Sequence, residues 1–503
     1  MNTPSLEHVD VLIIGAGISG IGAAYYLQTM RPGKSFAILE ARGEIGGTWD
    51  LFRYPGIRSD SDLHTFSYEF KAWQNEKAIA SADAIMAYLR ETVAENGIQN
   101  AIRFHHKVIS AAWSTTDARW LVEIERFETG QDTGERITMS CGWFFCASGY
   151  YRYDEGFTPE FPGREQFTGQ IVHPQLWPED LDYRGKRVVI IGSGATAVTL
   201  VPAMAQTAGH VTMLQRSPTY IVPVPSEDRL ANSLPKLIGR DRAFAVTRQK
   251  NIAKQRLVWR FCQQYPRAAR RLIRHLNAKQ LPAGYPVDEH FRPAYNPWDQ
   301  RLCAVPDADM FKAIRDGRAS VVTDRIDTFT ERGIRLQSGR ELDADIIVTA
   351  TGLNLLAFGG ITLSVDGVPV NVSEKVAFKG FLLSDVPNFS YMFGYTNSSW
   401  TLKVGLVCEH FCRLLAHMDA HGHSICCPQL PGPMETRPLL EVTSGYVKRA
   451  VGQFPHQGAE GPWRTSMDYR IDCKTLRDGP VDDDHLRFAT APAAGAPEPA
   501  LTG

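Results

Sequence analysis

The chain lacks the spacings that announce a metal site or a disulfide framework. Its nine cysteines are an odd number, scattered, with no zinc-type spacing among them. Cys408 and Cys412, four apart in the apolar run VGLVCEHFCRLL, read as two buried helical thiols ahead of a redox pair. An excess of one charge is missing too: a formal net charge of −1 over 503 residues supplies no global attraction to nucleic acid or an anionic surface. No long apolar run is unbroken. The longest, VLIIGAGISGIGAAYYL, is interrupted by four glycines and reads as strand, turn and helix rather than a membrane span. No signal peptide is apparent, so a reducing cytoplasm is the expected compartment. The hydrophobic (44%) and charged (22%) fractions suit a globular chain long enough for two or three domains.

What is present is a pair of phosphate-cradling turns. In VDVLIIGAGISGIGAAYYLQ an apolar strand runs into Gly15, Gly17 and Gly20, a G-x-G-x-x-G pattern. The first glycine turns the chain, the second admits a pyrophosphate to the backbone, and the third lets the helix close on the strand. The helix N-terminus then offers free N–H groups to the phosphates. A second strand, SFAILE, ends at Glu40, whose carboxylate suits a ribose diol and so a ligand without a 2′-phosphate. The arrangement recurs in GKRVVIIGSGATAVTLVPAMA, with Gly192, Gly194 and Ala197 in the three positions. The strand after it, HVTMLQRSP, ends in Gln215, Arg216 and Ser217 instead of an acid. Arg216 stands 24 positions after Gly192, as Glu40 stands 25 after Gly15, and a guanidinium there suits a 2′-phosphate. The first turn therefore suits FAD and the second NADPH. Two more apolar strands end in small-residue turns, Ala147-Ser148-Gly149 and Ala350-Thr351-Gly352, as crossings between two nucleotide domains would.

These signals predict an α/β protein with two doubly wound, Rossmann-like dinucleotide-binding domains and a helical insert. The FAD domain is expected at 1–150 and 378–490, the NADPH domain at 165–225 and 299–377, the insert at 226–298, and an Ala/Pro-rich disordered tail at 491–503. Residues 236–279 hold thirteen Lys or Arg and one acid, Asp241, with apolar residues at helical spacing. The simpler reading is a solvated basic face; the sharper one is peripheral contact with an anionic membrane.

Between the two turns lies FTGQIVHPQLWP, with Phe167, Gly169, His173, Trp177 and Pro178. No second ligand shares a metal spacing with His173, so no metal is expected and the histidine reads as a pin at the domain junction. The segment fits FxGxxxHxxxWP, the fingerprint of the Baeyer–Villiger flavin monooxygenases. With GGTWDLFRYPGIRSDSD and YNPWDQRLCAVPDADMF it makes residues 8–490 resemble that class B family, in the branch of mycobacterial ethionamide-activating FAD-containing monooxygenases.

The resemblance implies that FAD is held by Gly15, Gly17, Gly20 and Glu40. Thr48, Trp49, Asp50 and Leu51 would lie beside the isoalloxazine, with Asp60 near it and Val108 at the adenine. It implies NADPH on Gly192, Ser193, Gly194, Ala195, Thr196, Ala197 and Val198 and on Arg216 and Ser217, with Arg58 and Ser59 near the nicotinamide. The implied catalytic arginine is Arg301, aimed by Asp60. Gln300 replaces the lysine that many relatives carry before that arginine, which leaves the NADPH preference resting more on Arg216. The implied reaction uses NADPH and O2 to convert ketones to esters or lactones through a flavin C4a-peroxide, with thioethers and thioamides as further lipophilic substrates. Trp463 is the candidate for a tryptophan that closes over NADPH. Competing readings are an N- or S-oxygenating flavin enzyme without ketone activity, an NADPH-dependent flavin disulfide reductase, and a non-enzymatic nucleotide sensor. The reductase needs a cysteine pair near a glycine turn, and none is there.

Overall fold

The computed structural model describes residues 6–128, 131–441 and 444–491; the expected tail lies outside them from residue 492 onward. Strand β1 (Glu7–Ile14) is the centre of the first unit. Val11, Leu12 and Ile13 are fully buried because helices cover one face of the sheet and strands the other. After β1 the chain turns into helix α1 (Ile18–Met30) and returns as β2 (Phe36–Leu39), parallel to β1. On its other side β1 pairs in parallel with β3 (Gln131–Cys146). The strand Phe389–Tyr391 then adds to β3, also in parallel, so the C-terminal segment completes the sheet opened by the N-terminus. The long helix Trp400–His421 packs on α1 and buries Leu402, Val404, Leu406 and Val407.

The second unit is a five-stranded parallel sheet. Its strands are β4 (Gln170–Val172), β5 (Arg187–Ile191), β6 (His210–Gln215), β7 (Ala319–Thr323) and β8 (Ile346–Thr349). Their order is β7-β6-β5-β8-β4, with helix α2 (Ala195–Met204) crossing from β5 to β6. The two crossings between the units run side by side: Leu353–Leu355 pairs antiparallel with Tyr151–Gly156. The stretch expected as 299–377 is divided. Thr362–Val365 pairs with His106–Ser114 of the first sheet, so the chain has re-entered the first unit well before residue 377. A polar segment gives no periodicity by which to place that return.

The insert matches the expectation of a solvated basic face only in part: most of its cations are exposed, but several are tied inward. Its helices α3 (Arg240–Gln264) and α4 (Pro266–Ala278) are packed on one another, and α3 lies across the first unit. Arg248 is 4% exposed, and its Nη1 donates to the carbonyls of His64, Thr65 and Ser67 at 3.0, 3.3 and 2.9 Å. One and two helical turns further on, Asn251 and Gln255 donate to Asp62 at 3.0 and 2.6 Å, the residue that caps the helix Leu63–Phe66. Arg256 pairs with Asp468 and Lys250 with Asp228. Several cations therefore serve as internal ties; Arg248 does so because the end of helix Leu63–Phe66 leaves carbonyls that need donors.

Arg248→Met removes that donor set and leaves buried carbonyls without partners. The expected loss of stability is about 2–4 kcal/mol. Exposed Arg242→Met serves as the control and should change stability by less than about 0.5 kcal/mol. Equal denaturation midpoints for the two variants would contradict the assignment of Arg248 as the tie.

Candidate active site

The two glycine turns are built alike. Gly15 has φ +101° and Gly192 φ +133°, backbone that side chains avoid. A Cβ on Gly15 would stand 2.9 Å from the carbonyl oxygen of Ala147, and one on Gly192 would stand 2.3 Å from that of Ala350. Each small-residue crossing thus presses directly on the first glycine of its turn. A Cβ on Gly20 would meet the Gly15 carbonyl oxygen at 1.9 Å, which explains the third glycine; Ala197 fills the same place, fully buried, in the second turn. Gly17 and Gly194 cap α1 and α2 with extended backbone.

A cavity of about 980 Å³ runs from the first turn to the second unit. Gly15, Gly17, Glu40, Thr48, Trp49, Leu51 and Val108 line it from the first unit; Ala195, Thr196 and Arg301 line it from the second. Glu40 accepts from the N–H groups of Ala16 (2.8 Å) and Arg42 (3.0 Å). Burial nevertheless raises its carboxyl above the usual range, against the pull of those donors. Asp50 is turned away from the cavity: it is buried and paired with Arg42 (2.5 Å) and Arg53 (3.2 Å), and it is Arg42 that reaches the wall. Gly194, Arg216 and Ser217 are exposed beyond the rim. Arg216 makes no hydrogen bond or ion pair among the described residues, while Ser193 Oγ donates to the Ser217 carbonyl at 3.2 Å.

Two arginine–aspartate pairs join the two units in opposite senses. Arg301 reaches Asp60 with one hydrogen bond, Nη2 to Oδ1 at 3.1 Å, and an ion-pair contact from Nε to Oδ2 at 2.9 Å. The carboxylate of Asp60 pushes Arg301 further up from its already high range, against the effect of desolvation. Both side chains keep access to the cavity, at 39% and 34% exposure. Arg58, in the same loop as Asp60, makes the reciprocal pair with Asp309. Ser59 between them is buried and locked to Ala80, its Oγ accepting from Ala80 N–H at 3.2 Å.

His173 stands at the junction of the two crossings. Its Nδ1 accepts from the Gln175 N–H at 3.2 Å, which leaves Nε2 to donate to the Gly352 carbonyl at 3.3 Å. A Cβ on Gly156 would lie 1.9 Å from its ring, so one crossing packs on the imidazole while the other accepts its N–H hydrogen bond. Burial holds its pKa below the ordinary 6.5. Phe167 is buried, a Cβ on Gly169 would strike the Asp345 carbonyl oxygen at 2.4 Å, and Trp177 packs against the second unit's core next to Pro178.

Several wall residues escaped sequence reasoning. Tyr153 hydrogen-bonds Thr48 at 3.1 Å, and Tyr150 and Tyr151 line the cavity from the first crossing. Trp400 donates to Ser19 Oγ at 2.8 Å, and Tyr395 donates to Asp472 at 2.5 Å, a carboxylate also paired with buried Lys403. The run YYRY beside the small-residue turn was the one available signal. Trp463 is a correction. It is 3% exposed and packs edge-on against Phe378 at 5.0 Å inside the first unit, so it belongs to the core and not to a lid over a nucleotide.

Residues 13–75 match the model of an NAD(P)-binding Rossmann-like domain. The chain is 53% identical over 489 residues to the FAD-containing monooxygenase EthA of Mycobacterium tuberculosis, covering 97% of this chain and 99% of that one. It is similar in fold to an open crystal structure of cyclohexanone monooxygenase, with TM-score 0.74, 20% identity, and coverage of 96% and 100%. An oxidised steroid monooxygenase bound to NADP gives TM-score 0.72, 21% identity, and coverage of 96% and 100%.

The junction generates a pH prediction. Because the folded state lowers the pKa of His173, the unfolded chain binds more protons just below pH 6.5. The stability tied to the neutral ring is present above that value and is lost as pH falls toward the lowered folded pKa. Thermal unfolding between about pH 7.5 and about pH 5.5 should show this loss in the wild type and lack that component in His173→Gln. Identical pH profiles would contradict a neutral His173.

Proposed function

The chain belongs to the FAD-containing monooxygenases, and on that premise we propose that it is a Baeyer–Villiger enzyme. It takes NADPH and O2, converts lipophilic ketones to esters or lactones, and also oxidises thioethers and thioamides. The residues present fit FAD: Gly17 is bare of side chains beside the cavity, and Glu40 holds a carboxylate at its wall with two backbone donors. FAD bound there supplies acceptance of a hydride and activation of oxygen.

The observation that carries the reading is the hydrogen-bonded Arg301–Asp60 ion pair at the cavity wall. Insertion of oxygen next to a ketone builds negative charge on the carbonyl oxygen. A guanidinium already held by a hydrogen bond and an ion-pair contact to Asp60 meets that charge with little reorganisation. Asp60 aims it and keeps it protonated. Leu353, Leu356, Ile361 and Trp400 give the cavity apolar wall for a lipophilic substrate. Arg216, exposed at the end of β6 without a partner among the described residues, is the cation for a 2′-phosphate.

The pair also separates this reading from its competitors. An enzyme that oxidises only sulfur or nitrogen has no carbonyl oxygen for Arg301 to stabilise. A disulfide reductase needs two facing thiols. Among the described wall residues Cys303 is the single cysteine, and burial pushes its thiol up to about 12, far from a working thiolate.

Purified holoenzyme with NADPH and a medium-chain 2-ketone should form ester. Arg301→Ala should keep NADPH-dependent flavin reduction while losing ester formation by about a hundredfold or more. Ester formation at wild-type rate in Arg301→Ala would overturn the role given to this residue. Arg216→Ala should raise KM for NADPH about tenfold or more and leave that for NADH little changed. A parallel rise for both nucleotides would contradict 2′-phosphate recognition.

A further inference from the structure

The insert spends part of its charge on internal ties; the remainder faces outward. Between residues 236 and 271, seven Lys or Arg, with Arg240, Arg242, Lys254 and Arg260 among them, are exposed and make no hydrogen bond or ion pair among the described residues. The single acid in that stretch is Asp241. The same region collects exposed apolar side chains. Eight of the fourteen exposed large hydrophobic residues of the described chain lie between residues 230 and 272. Leu237 is 78% exposed and Leu257 70%; Leu230, Val246, Val258 and Leu272 accompany them. A monomeric surface does not ordinarily concentrate aliphatic groups in this way.

Helix α3 shows how the two sets combine. Arg242, Val246, Gln249, Ala253, Leu257, Arg260 and Gln264 recur at three- and four-residue steps and are all exposed. They form one stripe about 33 Å long at the helical rise. Thr247, Arg248, Asn251 and Cys262, on the other side of the helix, are buried. We propose that the outward face of the insert docks on an anionic lipid surface, with Leu237, Leu257 and their aliphatic neighbours entering the headgroup boundary and the unpaired cations facing lipid phosphates. Apolar groups flanked by cations are what such a surface binds. A second copy of the chain fits poorly. A two-fold contact sets the same patch against itself, and these cations would face cations. Nucleic acid has no use for exposed leucines.

The placement suits a supply of lipophilic substrate. On its inner side α3 touches the cavity wall: Ser398, which lines the cavity, donates to Gln255 at 2.7 Å. Asp62, held by Asn251 and Gln255, lies two residues from Asp60. A membrane on the outer side would stand about one helix diameter, roughly 10–12 Å, from that wall. Docking itself does not depend on the oxidation chemistry and can be measured without turnover.

The test is sedimentation of the holoenzyme with vesicles of phosphatidylcholine alone and of phosphatidylcholine mixed with phosphatidylglycerol, at physiological salt. Binding to the anionic vesicles should exceed binding to the neutral ones at least tenfold and fall in high salt. The triple variant Arg240→Ser, Arg242→Ser, Arg260→Ser should weaken it about a hundredfold, since each cation near an anionic surface is worth roughly a factor of five. Leu237→Ser with Leu257→Ser should weaken it as well while leaving turnover of a water-soluble ketone unchanged. Absence of binding to anionic vesicles would overturn the proposal. So would equal binding to both vesicle types, or variants whose effect is a change of oligomeric state in gel filtration rather than of vesicle binding.

Discussion

Everything in this molecule depends on how loop 58–60 of the first unit meets segment 301–309 of the second. Arg301 grips Asp60, and Arg58 grips Asp309. Such part-exposed pairs contribute little stability, about 1 kcal/mol or less each. Their importance is geometric. They set the guanidinium of Arg301 at one place on the cavity wall, and they couple that place to the relative position of the two units. A rotation of one unit against the other would strain or break both pairs. His173 lies at the other end of the same coupling, between the two crossings on which such a rotation would turn.

A second constraint explains why the sequence repeats itself. Each nucleotide turn is closed from outside by a crossing strand whose end comes within van der Waals contact of the first glycine: Ala147 on Gly15, Ala350 on Gly192. A side chain on Gly15 or Gly192 would push the crossing away and open the turn. The same physics therefore writes glycine at the turn and a small residue more than a hundred positions later, twice.

That is also why this part was legible. Glycines with positive φ, buried strands and an acid or arginine at the next strand end are local signals, and all fell where the spacing put them. The Arg301–Asp60 pair was reachable through family resemblance, not through spacing, because its members stand 241 positions apart. The insert misled because composition counts charges but not their partners: Arg248 looks like any surface arginine until three carbonyls at the end of the helix, those of His64, Thr65 and Ser67, surround it. Trp463 misled for the same reason, since an aromatic near the C-terminus can be core or lid and only packing against Phe378 decides. The tyrosines of the first crossing and Trp400 were missed because a wall is made by tertiary approach, which no periodicity records.

The central claim is that Arg301 and Asp60 act as one device. A double-mutant cycle measures this directly: single-turnover ester formation in wild type, Arg301→Ala, Asp60→Ala and the double variant, each with flavin reduction by NADPH followed in parallel. If Asp60 works through Arg301, the double variant should be little slower than Arg301→Ala alone, with a coupling of about 2 kcal/mol or more between the two sites. Losses that simply add, with no coupling, would show that the two side chains act separately and would contradict the account.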